Sequence, residues 1–272
     1  MPDIVLVPHG ETIPLAPSAP CFAHGFGLFE TMCYVDGQLL FWGDHWARLA
    51  KSAKYFALAL PKEDAVLAAL REFVVRAKLT EGTLKLSLLK NTKGSCLYVY
   101  SRPPMTAPDS RTLLLDTANP IYPRSLLAGH KTHNYMELMH LLSLARAQAY
   151  YDCLRLDANG YLAETATSNL FFLKDGRLHT PGLDTGILPG VTRAALLGDP
   201  DLNVKEGHFA PETLHDAEAV FLANATSGLK VIERIDGFLA GQSVQYSVAS
   251  QALSAAQSAL ARAQESRALR LI

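Results

Sequence analysis

Two residues in the middle of the chain have the side chains needed for carbonyl chemistry. Lys131 stands in HKTHNY (130–135), among small and polar neighbours, and Glu164 stands in the strand-like YLAET with a helical stretch between them. A lysine amine attacks an aldehyde once it is positioned and partly desolvated, because the neutral amine is the nucleophile. A carboxylate on an apolar strand is costly to bury without a partner. Taken singly, each has an ordinary reading: a solvated surface lysine and an edge-strand glutamate facing water.

Other stretches suit an anion. GILPGVTRAAL (186–196) is a glycine loop leading into a helix that starts at Val191 or Thr192, where backbone N–H groups, the positive helix end and a hydroxyl favour negative charge. Asn224-Ala225-Thr226-Ser227-Gly228 is a second polar turn, at the end of a buried strand. Arg48 in DHWARL offers a planar, permanently charged clamp. Rival chemistries have less behind them. There is no G-x-S-x-G, and neither Ser95 nor Ser168 has an evident histidine partner. His130, His133 and His140 cluster without a trustworthy ligand spacing, so no metal is expected.

Composition narrows the class. The 272 residues carry 25 Lys+Arg against 26 Asp+Glu, a formal net charge of -1 with no block of like charge, which gives no support to nucleic-acid or membrane-surface binding. Cys21, Cys33, Cys96 and Cys153 lie far apart with no CxxC spacing, as expected for reduced thiols. No apolar window spans a bilayer and the amino terminus lacks a secretory pattern, so the expected location is cytoplasmic.

The elements that must position these residues follow from periodicity. FGLFETMCYVDGQLLFW (26–42) reads as two strands about Asp36-Gly37, 43–59 as a helix, and the stretch after Pro61 as another. TLKLSLLK (83–90) alternates like a strand, with LYVYS as its partner after Lys93-Gly94. Residues 102–123 are broken by prolines around one short strand, TLLLD, and read as a linker region. A helix is expected over 135–151, followed by strands CLRLD, YLAET, NLFFL and RLHTP. AEAVFLAN (217–224) reads as a buried strand, KVIERIDGFL as a hairpin, and QYSVASQALSAAQSALARAQ as an amphipathic helix. The expected fold class is α+β in two domains: a small α+β domain over 1–107, a linker over 108–117, and a larger strand-rich, pseudobarrel-like domain over 118–272.

Four blocks taken in order change the weight of the single residues. HGFGLFET (24–31) with DHWARL (44–49), HKTHNY (130–135), LDANGYLAETATSNLFF (156–172) and HTPGLDTGILPGVTRAALL (179–197) together resemble the fold-type IV family of pyridoxal phosphate enzymes. That family includes branched-chain aminotransferases, D-amino acid aminotransferases and 4-amino-4-deoxychorismate lyases. The resemblance implies pyridoxal 5'-phosphate as cofactor, a D-amino acid aminotransferase-like fold with the cofactor in a cleft between domains, and a homodimer acting on a small-molecule substrate. It places Lys131 on the Schiff-base lysine, Glu164 on the carboxylate that holds the pyridine nitrogen, and Arg48, Val191, Thr192 and Thr226 on phosphate-binding positions. Asn169 is expected to support Glu164, and Thr31 and His133 to meet substrate.

The fold does not choose the reaction. FET at 29–31, the asparagine in LANATSG (222–228) and the strand LKLSLLK resemble the lyase subgroup, which releases pyruvate to leave 4-aminobenzoate for folate synthesis. A Tyr-x-Arg-Pro element is missing from its usual place, and Tyr100-Ser101-Arg102-Pro103 is read as linker. The arginine-glycine turn of many lyases is replaced by LKNTKGSCLY, so Lys90 or Lys93 supplies the positive charge or the substrate carboxylates are held elsewhere. Lyase is the first reading, a branched-chain or D-amino acid aminotransferase the alternative, and a non-enzymatic binding module the remote one.

Overall fold

A computed structural model describes residues 2–8, 11–13, 15–103, 107–238, 241–246 and 251–272. The chain opens with β1 (Asp3–Leu6), α1 (Pro20–His24), β2 (Gly27–Val35), β3 (Gln38–Leu39), α2 (Trp42–Tyr55), α3 (Glu63–Arg76), β4 (Gly82–Asn91) and β5 (Gly94–Arg102). Next come β6 (Thr112–Ile121), α4 (Met136–Ala147), β7 (Asp152–Asp157), β8 (Leu162–Thr165), β9 (Asn169–Lys174) and β10 (Arg177–Pro181). It continues through α5 (Val191–Leu197), β11 (Lys205–Gly207), β12 (Ala219–Asn224), β13 (Gly228–Ile232) and β14 (Arg234–Phe238). The last elements are β15 (Gln242–Gln245), α6 (Gln251–Ser266) and β16 (Leu269–Arg270). Two compact units result: Met1–Met105 with His130–Tyr135 and Gln264–Ile272, and Thr106–Gly129 with Met136–Ala263.

The first unit is a six-stranded sheet in the order β1-β5-β4-β2-β3-β16. β2 turns into β3 through Asp36 and Gly37, both at positive φ (49° and 77°), the twist that suits a two-residue hairpin loop. Strand alternation gives the sheet two unlike faces. Leu28, Met32, Leu84, Leu86, Leu88, Leu97 and Val99 point to one face and pack with Leu49 of α2 and Val66, Leu70 and Phe73 of α3. The other face carries Phe29, Thr31, Lys85, Ser87, Tyr100 and Arg102, brought together because Thr31 pairs with Lys85, Phe29 with Ser87, and Lys85 with Tyr100. β16 pairs with β3, and Leu271 drives into the same core.

Residues 130–135 add to this unit. Leu28 bridges Thr132, the Phe29 N–H donates to the Lys131 carbonyl at 2.9 Å, and the His133 N–H donates to the Gly27 carbonyl at 2.9 Å. Thr132 is buried, so its neighbours Lys131 and His133 fall on the opposite side, the side of Phe29.

The second unit is a curled ten-stranded sheet with the path β11-β10-β9-β8-β7-β6-β14-β15, from which β12 and β13 branch at β9. Its core is Leu113, Leu154, Leu162, Leu170, Phe172, Val220, Leu222, Ile232 and Ile235. The chain is thus a two-unit α+β protein with the fold of the class suggested by sequence.

Several elements differ from the expectation. Residues 108–117, read as linker, include the first half of β6, which is a ten-residue strand paired on both sides, to β7 and to β14. Leu113 and Leu115 alternate inward there, while Pro120 falls where the β6–β7 register breaks between Asp116 and Ile121. The Asp116 carboxylate takes up the amides of Ala118 and Asn119 in that gap. Tyr100-Ser101-Arg102 is not linker either: β5 runs through Arg102, which lies opposite Thr83 of β4. The helix expected to reach 151 stops at Ala147, followed by Ala149 at φ 63°. Gln245, expected to begin the last helix, ends β15; residues 247–250 lie outside those described.

Leu271→Ala tests the tail's part in the first core. Truncating this buried side chain costs about 2–5 kcal/mol, read as a lowered denaturation midpoint; no change would mean the tail merely rests on the sheet.

Candidate functional site

On the open face of the first sheet, Lys131 sits over an aromatic floor. Its Nζ is 4.6 Å from the Phe29 ring centroid and donates to the Tyr135 hydroxyl at 3.4 Å. Phe29 also meets Tyr135 edge-on, with centroids 5.0 Å apart, and His133 at 5.2 Å. His133 Nε2 lies 3.1 Å from Ser87 Oγ, which lies 3.0 Å from the Tyr100 hydroxyl. Burial first, then the Lys85 charge, push His133 down to about 4, so near neutrality it is an uncharged imidazole. Lys85 is pushed down to about 8, first by burial and then by Arg102 and Lys131. Thr31, buried on β2, pairs with Lys85 on this face.

Arg48 enters from α2 on the other side of the sheet. Its Nε and one Nη donate to the two oxygens of Glu30 at 2.8 and 2.6 Å, a bidentate fork. His45 Nδ1 donates to the same carboxylate at 2.7 Å. Burial alone would raise the Glu30 pKa, but Arg48 and then His45 outweigh it and hold the carboxyl at about 2, against an ordinary 4.5. Burial keeps His45 below its usual value, so it donates as a neutral ring. Glu30 therefore fixes the plane of the Arg48 guanidinium.

In the second unit Glu164 and Asn169 form the cross-strand pair of β8 and β9. Asn169 Nδ2 donates to Glu164 Oε2 at 2.9 Å and to the Leu188 carbonyl at 3.0 Å; the Leu188 N–H donates to Glu164 Oε1 at 2.9 Å. Both carboxylate oxygens thus accept a hydrogen bond. Gly190 precedes α5, and a Cβ there would come within 2.0 Å of Asn169 Oδ1, so only glycine lets the loop close on Asn169. Val191 and Thr192 open α5, where amides have no acceptor within the helix. The Thr192 hydroxyl is buried with no hydrogen-bond partner among the described residues.

Thr226 is exposed, in a turn tied by Asn224. Asn224 Oδ1 accepts the N–H groups of Thr226 and Ser227 at 3.0 and 2.7 Å, and its Nδ2 donates to Ser168 Oγ at 2.9 Å. The loop of Thr165 to Thr167 is pinned by buried Asp152, whose oxygens accept both threonine hydroxyls and the Ala166 amide. Burial pushes the Asp152 pKa up despite these donors.

The nominated residues therefore fall into two groups. Lys131, His133, Thr31 and Arg48 belong to the first unit, and Glu164, Asn169, Val191, Thr192 and Thr226 to the second. Sequence reasoning missed Glu30, Lys85, Asp152 and the placement of Tyr100 and Arg102. For Glu30 and Lys85 the signal was present: each is a charged residue inside an apolar, alternating strand. Lys90 is set on the opposite side of β4 from Lys85 by alternation, and Lys93 is exposed in the hairpin turn.

The donors of each unit suit parts of a phosphorylated pyridine aldehyde: in the first an amine stands on an aromatic floor, and in the second a carboxylate accepts two hydrogen bonds and a buried hydroxyl has no partner among the described residues.

Comparison with known proteins adds to this geometry. The family model for "Amino-transferase class IV" matches residues 27–235. The "Branched-chain-amino-acid aminotransferase" of Escherichia coli K12 is 34% identical over 112 residues, 40% of this chain and only 36% of that protein's length. Among solved structures, "Putative 4-amino-4-deoxychorismate lyase" from Legionella pneumophila superposes with a TM-score of 0.86 at 24% identity, over 97% of this chain and 100% of that one. A "hypothetical aminotransferase from Mycobacterium tuberculosis" in its PLP-bound form gives a TM-score of 0.80 at 20% identity, over 95% of each chain.

The Glu30 cluster predicts a specific acid response. Because the folded pKa lies below the unfolded one, its contribution is complete above about 4.5 and is lost as pH falls through about 2. That contribution is on the order of 3 kcal/mol. Glu30→Gln should be less stable at pH 7 and should lack this part of the acid dependence in denaturant titrations. A variant as acid-sensitive as the parent would show that the cluster does not set it.

Proposed function

We propose an elimination reaction for this chain, which belongs to the amino-transferase class IV family of pyridoxal phosphate enzymes: conversion of 4-amino-4-deoxychorismate to 4-aminobenzoate and pyruvate. The equation balances without water or an oxidant. A proton leaves the carbon bearing the amine, the bond to the enolpyruvyl oxygen breaks, the ring becomes aromatic, and the released enol takes up a proton. Bound at this site, pyridoxal phosphate supplies an electron sink for the charge left when that proton departs.

The chain's own residues divide the remaining work. Lys131 would hold the cofactor at its aldehyde carbon and serve as the base and acid that takes and returns the substrate proton. Glu164, oriented by Asn169 and the Leu188 amide, would face the pyridine nitrogen and favour its protonated form. Arg48 of the first unit, oriented by Glu30, and Val191, Thr192 and Thr226 of the second would be the groups to hold the phosphate, with the Thr192 hydroxyl, unpartnered among the described residues, available to donate. Thr31 and His133 belong to the substrate side.

The observation that carries the lyase choice is Thr31. The FET segment puts a buried hydroxyl on the sheet face where Lys131 lies, opposite Lys85 in register. The full-length match to the Legionella protein agrees with it. Transamination is the second reading, favoured by the identity to the Escherichia coli aminotransferase. A homodimer is also proposed: Tyr122, Leu126, Leu127, Met136 and Met139 are exposed large apolar residues in the segment flanking Lys131, and a second copy would cover them. No helix among the described residues is long and apolar enough to cross a membrane.

Supplying 4-amino-4-deoxychorismate generated in situ should give 4-aminobenzoate and pyruvate in equal amounts, with Lys131→Ala inactive. No 4-aminobenzoate, together with oxo-acid formation from an amino acid, would replace elimination by transamination. For assembly, sedimentation should give a dimer that Met136→Glu weakens; a monomer at micromolar concentration would remove that proposal.

A further inference from the structure

Asp152, at the head of β7, is fully buried, and no role given to the site so far uses it. The β7–β8 ladder ends at the Leu154–Thr165 pair, and the carboxylate takes up the polar groups beyond it. Its Oδ1 accepts the N–H groups of Cys153 and Ala166 at 2.8 and 3.1 Å. Its Oδ2 accepts the hydroxyls of Thr165 and Thr167 at 2.9 and 2.6 Å. The turn between β8 and β9 does not need these bonds to close. The Thr165 N–H already donates to the Ser168 carbonyl at 2.9 Å, and the Ser168 N–H to Thr165 Oγ1 at 3.0 Å. Glu164 and Asn169, the pair that joins β8 to β9, stand immediately on either side of that turn. Ser168 carries the connection further, because its hydroxyl accepts from Asn224, which gathers the amides of Thr226 and Ser227. Tyr151, next to Asp152, closes the circuit with a hydrogen bond between its hydroxyl and the Ser227 side chain. All of these residues belong to the second unit.

We infer that Asp152 is a positioning residue for the cofactor: through Thr165, Thr167 and Ser168 it sets Glu164 and the Thr226 turn against one common reference. The inference rests on the reading of Glu164 and Thr226 as cofactor-binding residues and is independent of which reaction follows. A buried carboxylate costs desolvation, and an apolar residue of similar shape would fill the same space without that cost. What the carboxylate adds is direction, since a fully satisfied buried network rigidifies the segments it joins. Direction matters here because the pyridine nitrogen and the phosphate of the cofactor are held apart by covalent bonds at a fixed spacing. Two protein groups on different loops must keep that spacing to meet both ends. A shift of the 165–168 turn against the 224–228 turn would forfeit one contact or the other. Asn169 extends the same reference to the loop before α5, through its bond to the Leu188 carbonyl.

The test reads pyridoxal phosphate affinity from cofactor release by the loaded, full-length protein, followed by visible absorbance, beside the thermal midpoint of each variant. Asp152→Ala removes all four acceptor contacts; Thr167→Val removes one and keeps the side chain's shape, so it carries the test if Asp152→Ala does not fold. Both should weaken cofactor binding, Asp152→Ala by about tenfold or more, the scale at which groups that orient a ligand from behind are felt. Asp152→Asn keeps a carbonyl for the two amides, and the threonine hydroxyls can turn to accept from its own amide. It should therefore bind cofactor near the parent's affinity. Asp152→Ala combined with Asn224→Ala should lose less than the product of the single losses, because both act on Ser168. Variants that lower the midpoint yet keep the parent's affinity would overturn the inference. So would an Asp152→Asn protein as weak as Asp152→Ala, or a combination whose losses simply multiply. Glu164→Ala and Thr226→Ala serve as references. If these leave cofactor affinity unchanged, the cofactor assignment falls and the inference with it. If they weaken binding while the Asp152 and Thr167 variants do not, only the positioning role falls.

Discussion

The two-residue period of β2 and β4 is the constraint on which the first unit depends. Because side chains alternate, a single strand can seal a core with one set of residues and present chemistry with the other. Leu28, Met32, Leu84, Leu86 and Leu88 do the first; Phe29, Thr31, Lys85 and Ser87 do the second. A one-residue slip would exchange the two sets, burying Lys85 against α3 and exposing leucines, so the apolar core itself fixes where the polar groups stand. Registry across three strands then assembles a face whose members are far apart in sequence.

Glu30 is the exception, and an instructive one. By alternation it belongs to the core face, where an unpaired carboxylate would be prohibitive. Its three charge-assisted contacts to Arg48 and His45 make the burial tolerable, and in return the helix bearing Arg48 is locked in azimuth. The buried cluster thus gives orientation as well as a pH-dependent part of the stability. In the second unit Glu164 is oriented by neutral donors, the Leu188 amide on one oxygen and the Asn169 side chain on the other.

Much of this was legible in the sequence, for identifiable reasons. Strands and hairpins with strong alternation, such as FETMCYVDG and LKLSLLK, appear where periodicity put them. The glycine loop before Val191 was legible as a close approach, though not that Asn169 Oδ1 is what a Cβ would strike. Three things were hidden. Prolines at 102–123 imitate a linker, yet β6 accommodates Pro120 at a register break and places Leu113 and Leu115 inward. The return of residues 130–135 to the first unit rests on two backbone hydrogen bonds with β2, closing one antiparallel bridge, that no side-chain pattern announces. The polar role of Tyr100 and Arg102 depends on β5 extending to Arg102, which composition after a run of aromatics does not reveal.

The hidden items share a cause. Each is a long-range pairing, and pairing partners are set by the whole sheet and not by local propensity. Where a residue's neighbours are local, as with Asn224 gathering the amides of Thr226 and Ser227, sequence sufficed to mark a polar turn. Lys85 needed β2 and β5 as well as its own strand before its charge acquired a meaning. Seen alone it is one lysine in an apolar run. Set between Thr31 and Tyr100, with Phe29 beneath and Arg102 beside it, it becomes a partly desolvated cation on the polar face of the sheet, drawn down to about 8 by burial and by the charges of Arg102 and Lys131.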